Sequence, residues 1–339
     1  MNKAYLPSLI FGTSCLGNLY HIMDEKTKQE LVDECLAKGH RPVVFDSAGK
    51  YGAGLALESL GQCLKNARIA PDEVVISNKL GWLRTALITP EPLFEPGVWK
   101  GLTHDAVQAI SYDGIMDCYH QGNELLGDYT ARMVSVHDPD EYLSAASDDS
   151  DERRRYDDIL DAYRALFDLK RKGQVSSVGI GAKNWQTIKH ISQDVALDWV
   201  MIANSMTVHS HPQDLLIFMQ ELEAKGIPII NSAVFNGGFL TGSDFYNYTL
   251  MTPEANMELY TWREKFYKQC QNFSIAPAVA SVAFARKIPG VEAIAMSTTK
   301  PKNVSTNIDM TNAVLPITFW QALISEGLIN PNLKQFLIN

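Results

Sequence analysis

Cysteine pairing is missing from this chain. Its five cysteines (Cys15, Cys35, Cys63, Cys118 and Cys270) are odd in number, widely scattered, and form no C-x-x-C pair. That excludes a disulfide framework and a zinc knuckle. Positive charge is also scarce, with 30 Lys and Arg against 39 Asp and Glu, a formal charge of −9. Nucleic acid requires a basic face for its phosphates, so it is excluded as a partner, and the acidic balance serves solubility. No apolar run is long enough to span a bilayer, and Met1–Pro7 lacks the apolar core of a signal peptide. The expected setting is therefore the reduced cytoplasm, away from membranes. Neither a phosphate-binding G-x-x-x-x-G-K-[ST] loop nor a G-x-S-x-G elbow occurs.

What is present is apolar material, 46% of 339 residues, arranged in alternating patterns. Strand-like runs fall at 8–14, 43–46, 73–80, 132–138, 175–181, 199–205, 227–233 and 292–298. Helical spacing fills 26–38 (stopped by Gly39), 55–60, a stretch running up to 172, 214–225 and 276–287. Residues 104–126 read as mixed helix, and 302–308 is required as a short last helix. Strand–helix alternation demands a parallel sheet. Eight units over this length favour an α/β fold of the (β/α)8 TIM-barrel type, one domain over 1–339, with sites at the strand C-terminal ends. The aromatic, proline-bearing stretch 81–101 reads as a covering loop, and 309–339 as a C-terminal tail.

Several motifs have plain explanations. Gly52-Ala53-Gly54-Leu55-Ala56-Leu57 lacks the third glycine of a dinucleotide fingerprint. The acidic run 147–152 suits a helix start, where the backbone dipole favours carboxylates, and has no calcium-loop spacing. His209-Ser210-His211 has no cysteine or acid at metal-ligand spacing and reads as loop. No metal site is expected.

One constellation remains. Asp46, Lys79 and His137 close strands two, three and four, and Tyr51 lies in the loop after strand two. Adjacent strands of a barrel bring such ends within side-chain reach. A tyrosine titrates near 10, too high for easy proton exchange at neutral pH. An ammonium at Lys79 would favour the tyrosinate and lower that value, with Asp46 holding the lysine charged. His137 would steer a substrate oxygen. The set suits acid–base work on a carbonyl or hydroxyl.

These residues, in the context F-D-S-A-x-x-Y-G with a strand-end lysine and histidine, resemble the aldo-keto reductases, and the likeness runs nearly the whole chain. Leu16–Tyr20, Ser111–Gly114, His137–Asp140, Phe235-Asn236-x-Gly238, Phe319-Trp320 and Glu326–Leu328 narrow it to the branch that includes L-fucose, D-threo-aldose and pyridoxal dehydrogenases. The resemblance implies Tyr51, Asp46, Lys79 and His137 as a catalytic tetrad serving hydride transfer between a nicotinamide dinucleotide and a sugar or aldehyde. It implies dinucleotide contacts at Gly12, Thr13, Asn184, Ser232, Phe235, Asn236, Gly238, Leu240, Ser297, Thr298, Asn303 and Asn307. Within that pattern, Gly181-Ala182-Lys183-Asn184 replaces the usual Ser-Asn or Val-Asn pair, with Asn184 aligned to the amide. Met201 stands for the common glutamine, and Ser232 stands where many members stack a tyrosine.

Positions near Ser297 and Asn303, basic in NADP-preferring relatives, are neutral here. NAD is therefore expected over NADP, with Lys300 and Lys302 able to compensate. Tyr20 and Trp82 are expected as pocket walls for a sugar oxidised at C1 to a lactone, L-fucose being one such aldose. Two rival readings are an NADPH-dependent reductase of small aldehydes or pyridoxal, and a dinucleotide sensor without turnover. A metal-dependent hydrolase lacks enough His and Asp ligands at strand ends. Oligomeric state has no signature in the sequence.

Overall fold

The computed structural model describes residues 6–338 of the chain; Met1–Tyr5, part of the N-terminal stretch read above, and Asn339 lie outside them. Eight parallel strands close into a barrel: β1 Leu9–Gly12, β2 Val43–Ala48, β3 Val74–Leu80, β4 Met133–His137, β5 Ser177–Ala182, β6 Trp199–Ala203, β7 Ile229–Ser232 and β8 Val291–Met296. Each pairs with its neighbours in sequence, and β8 closes on β1 through Leu9↔Ile294. The expected (β/α)8 architecture is the one observed.

Period-two alternation sorts the strand residues. Ile10, Val44, Met133, Trp199, Met201, Ile230 and Ala293 form one packed cluster that plugs the barrel interior. Trp199 fits because Gly179 has no side chain; a Cβ there would meet the indole at 2.2 Å. Two residues further on, the same inward parity places Gly12, Asp46, Ser77, Ser135, Gly181 and Ser232 above the plug, and Lys79 and His137 above those. The other parity, with Phe45, Ile76, Val134, Val136, Val178 and Ile180, packs outward on the helices in the main core.

Local signals hold well. The helix Glu25–Lys38 starts at Asp24, whose carboxylate accepts from the Thr27 N–H, and ends at Gly39. The acidic run opens the helix Asp149–Arg171, with Asp148 accepting from the Ser150 and Asp151 N–H groups. His209 and His211 lie in a loop, the first bonded to the Tyr246 hydroxyl, the second accepting from the Asn330 N–H.

Three stretches differ from expectation. Residues 104–126 are not helical throughout: His104–Gln108 is a strand, antiparallel to Trp82–Ala86, and the helix begins only at Tyr112, capped by Ser111. The covering stretch is thus held at its base by a hairpin. A second hairpin, Phe245–Tyr246 with Thr249–Leu250, and the helix Met257–Asn272 were not anticipated. The stretch taken as a tail carries the helix Ile317–Ser325, whose Phe319 and Trp320 are buried in the core.

Candidate active site

Tyr51 is fixed by a close approach of two loops. Gly52 has φ +62°, and a Cβ on it would lie 2.3 Å from the Gly17 carbonyl oxygen; a Cβ on Gly17 would lie 2.8 Å from the Tyr51 carbonyl. Only glycine fits either place, so the turn after β2 is clamped on the loop after β1 and the phenol is aimed at the barrel mouth. Beneath it, Asp46 and Lys79 are 4% and 3% exposed and joined at 2.5 Å, Oδ2 to Nζ. Ser77 donates to the other carboxylate oxygen at 3.2 Å. The Lys79 ammonium lies 4.8 Å from the centre of the Tyr51 ring, and its stem has room because Gly181 carries no side chain. His137 meets the Tyr51 ring edge-on at 5.6 Å, and its buried Nδ1 finds no hydrogen-bond partner among the described residues. All four groups line one cavity of about 400 Å³.

Electrostatics assigns them different states. Burial works against the charge on Lys79, but Asp46 and Tyr51 outweigh it and the amine is held above its ordinary range. Burial, followed by the positive charge of Lys79 and Lys50, keeps His137 well below 6.5, so the imidazole is neutral. Tyr51 corrects the expectation from sequence. Lys79 does pull the phenol down, yet burial pushes harder, and the net direction is upward. The enclosed phenol keeps its proton.

The remaining expected residues separate into two groups. Gly12, Tyr20, Ser232, Phe235, Gly238 and Ser297 line the cavity with the tetrad. Thr13, Asn236 and Leu240 lie beneath the lining: Thr13 donates to the Asp46 carbonyl, Asn236 donates to the Asn204 carbonyl and to Asn247, and Leu240 is core. Thr298 and Asn303 bond to each other at the start of the helix Asn303–Thr311, on which Asn307 sits half-buried. Asn184 is exposed and caps the helix Trp185–Asp194, its carbonyl accepting from the Gln186 N–H; Lys183, one residue earlier, lines the cavity instead. Trp82 stands behind the wall, against Phe94 and 5.2 Å from the Lys50 ammonium, whereas Trp99 takes the wall position 5.8 Å from the Tyr51 ring.

A dinucleotide fits what surrounds the tetrad. The turn Asn236–Thr241 carries Gly237 and Gly238 at φ +72° and +95°; a Cβ would meet the hairpin backbone at Asn247 and Tyr248 on the first and the Ser243 side chain on the second, each at 3.1 Å, and both glycines present backbone to the cavity. Such turned backbone suits an anion. Among the described residues no group of three or more His, Cys, Asp or Glu is placed to hold a metal ion.

Sequence reasoning missed a charged network at the rim. Lys50 Nζ contacts Glu95 at 2.9 Å, Glu141 at 2.8 Å and Asp138 at 3.4 Å, and Lys183 joins Glu141 at 2.5 Å. The one available signal was a lysine directly before Tyr51.

Residues 8–325 match the aldo/keto reductase family model. The chain belongs to the aldo/keto reductase family. It is 26% identical to a pyridoxal 4-dehydrogenase of Microbacterium luteolum over 338 residues, 95% of this chain and 94% of that protein. In structure it is similar to a glycerol dehydrogenase of Gluconobacter oxydans (TM-score 0.68, 15% identity, 98% and 93% of the two chains) and to an aldo-keto reductase of Bacillus halodurans (TM-score 0.66, 16% identity, 100% of each). Those two likenesses bear on the fold. As an aldo/keto reductase the chain is an oxidoreductase served by a nicotinamide dinucleotide. No helix among the described residues is long and apolar enough to cross a membrane.

Proposed function

We propose that this aldo/keto reductase oxidises an aldose, L-fucose being one example, at C1 of its ring form to the lactone, with NAD as the preferred dinucleotide. The observation that carries the reading is the meeting of Tyr51, Lys79, Asp46 and His137 in one cavity. The bound dinucleotide supplies the acceptor for the C1 hydride. His137, neutral and lining the cavity beside Tyr51, steers the substrate oxygen. Tyr51 accepts the hydroxyl proton only in its ionised form, which burial disfavours and Lys79 partly restores. In the reductive direction, burial favours the phenol and Tyr51 donates to a carbonyl oxygen.

The walls support a polyhydroxylated substrate. Tyr20, Trp99 and Tyr248 offer rings for the CH faces of a sugar, and Asp138 and Lys183 offer an acceptor and a donor for hydroxyls. Neutral Ser297 and Asn303 give no planar fork for a 2′-phosphate, which supports NAD. A second reading, pyridoxal as substrate, is favoured by the Microbacterium relative. Absorbance of reduced nicotinamide tests both, with a panel of aldoses and pyridoxal offered alongside NAD or NADP. Turnover of an aldose with NAD is expected. Turnover of pyridoxal alone would replace the sugar reading, and reduction of neither dinucleotide by any of them would end both.

A further inference from the structure

Lys50 is 3% exposed and charged, yet the proton-transfer scheme makes no use of it. A buried ammonium is costly unless its surroundings are built for it. Here three carboxylates from two separate elements converge on it. Glu95 comes from the covering stretch, and Asp138 and Glu141 follow β4. Burial opposes the charge, but these carboxylates more than offset it.

The bond to Glu95 continues further. While Oε1 holds Lys50, Oε2 accepts the indole N–H of Trp99 at 2.7 Å. Trp99 is buried on one side and forms cavity wall on the other, its ring tilted against Tyr51. Its backbone bridges Leu19 in the loop after β1, itself cavity lining. The residue next to the proton donor is thus tied, through one carboxylate on a loop 45 positions away, to the wall that faces the proton donor.

We propose that Lys50 is a positioning residue which, through Glu95, sets the distance between the Trp99 wall and Tyr51 and so fixes how the substrate is seated against the proton donor. This rests on the oxidoreductase reading above. Without Lys50 or Glu95 the covering stretch keeps its hairpin base and its backbone bonds to the loop after β1, but the Trp99 indole loses the partner that orients it, and the ring can turn away from Tyr51. The effect falls on substrate fit, because the Trp99 ring faces Tyr51, whereas the glycine turn Asn236–Thr241 follows β7.

The test uses Lys50→Met and, because three carboxylates around a missing charge can impair folding, Glu95→Ala as a second route to the same break. Each is made in the wild-type and Trp99→Ala backgrounds, and KM and kcat are measured for the substrate found in the panel, together with the NAD dissociation constant. The expected result is a KM raised about tenfold with a dinucleotide constant within about twofold of wild type. In the Trp99→Ala background that increase should shrink to about twofold or less. A merely structural Lys50 would lower the melting temperature and leave KM where it was, and this result would overturn the proposal. So would an equal rise of KM in both backgrounds, which would make Lys50 a direct substrate contact.

A readout independent of turnover is the Trp99 share of the fluorescence, taken as the difference from Trp99→Phe. In Lys50→Met or Glu95→Ala it should shift to the red and be quenched by acrylamide about twofold more readily; an unmoved emission would sink the proposal. Absence of any turnover by the wild-type enzyme would count against the oxidoreductase reading alone, with the fluorescence result still deciding this one.

Discussion

The two sides of the barrel mouth hold their polar groups in different ways. On β2, β3 and β4, Asp46, Lys79 and His137 are nearly inaccessible, and the carboxylate and ammonium complete each other through side-chain bonds. Around β7 and β8 Ser232, Thr298 and Asn303 are neutral and partly exposed. Ser232 donates to the Ile202 carbonyl, Thr298 and Asn303 bond to each other, and Gly237 and Gly238 contribute backbone alone. Asp46 and Lys79 have no tolerable substitute, since removing either strands a buried charge. The second side presents main chain to the cavity, which tolerates change in the side chains. The contrast sets the order of the effects expected from mutation.

The largest is Lys79→Met. It leaves the Asp46 carboxylate buried without its counter-charge, and a broken pair of this type costs about 3–5 kcal/mol. Urea denaturation should show that loss, and adding Asp46→Asn should recover much of it, because the stranded charge is then gone. A loss below about 1 kcal/mol would mean that the pair is far better solvated than its burial implies, and the contrast between the two sides would weaken.

Next comes Tyr51→Phe, which keeps the ring and removes the proton. Turnover of the substrate found in the panel should fall by at least about a hundredfold, the usual scale for lost acid–base catalysis. That is about 2.7 kcal/mol in the barrier. Circular dichroism should be unchanged, since the ring contacts with Trp99 and His137 remain. Near-normal turnover would remove Tyr51 from its proposed role and leave the cavity without a proton donor.

Legibility in the sequence follows the same division. Asp46, Lys79 and His137 stood out because strand ends are local properties, and Tyr51 because it stands just before a glycine in the loop after the Asp46 strand. The eight strands were readable for the same local reason. Asn184 and Lys183 show where this stops: past the end of β5 a slip of one residue exchanges the inward and outward side chains. Trp82 and Trp99 were indistinguishable by type, and only the pairing of Trp82–Ala86 with His104–Gln108 settles which ring reaches the cavity. The Lys50–Glu95–Trp99 chain was hidden for a related reason, since its members come from two loops that only the closed barrel brings together.

The smallest effect belongs to the tolerant side. Asn303→Arg places a planar fork at the start of the helix Asn303–Thr311, beside Thr298 and near Lys300 and Lys302. If the crevice discriminates dinucleotides only by side chains at its rim, this one change should tighten NADP by about tenfold, the scale of one charge-assisted bidentate contact. NAD should bind much as before, because its adenosine carries no phosphate to meet the fork. Fluorescence titration of both dinucleotides measures the shift. An unmoved NADP constant would place the 2′-phosphate away from Asn303 and take this position out of the choice between dinucleotides. A wild-type enzyme already tighter for NADP would mean that Lys300 or Lys302 supplies the missing charge, making this side of the mouth less neutral than its side chains suggest.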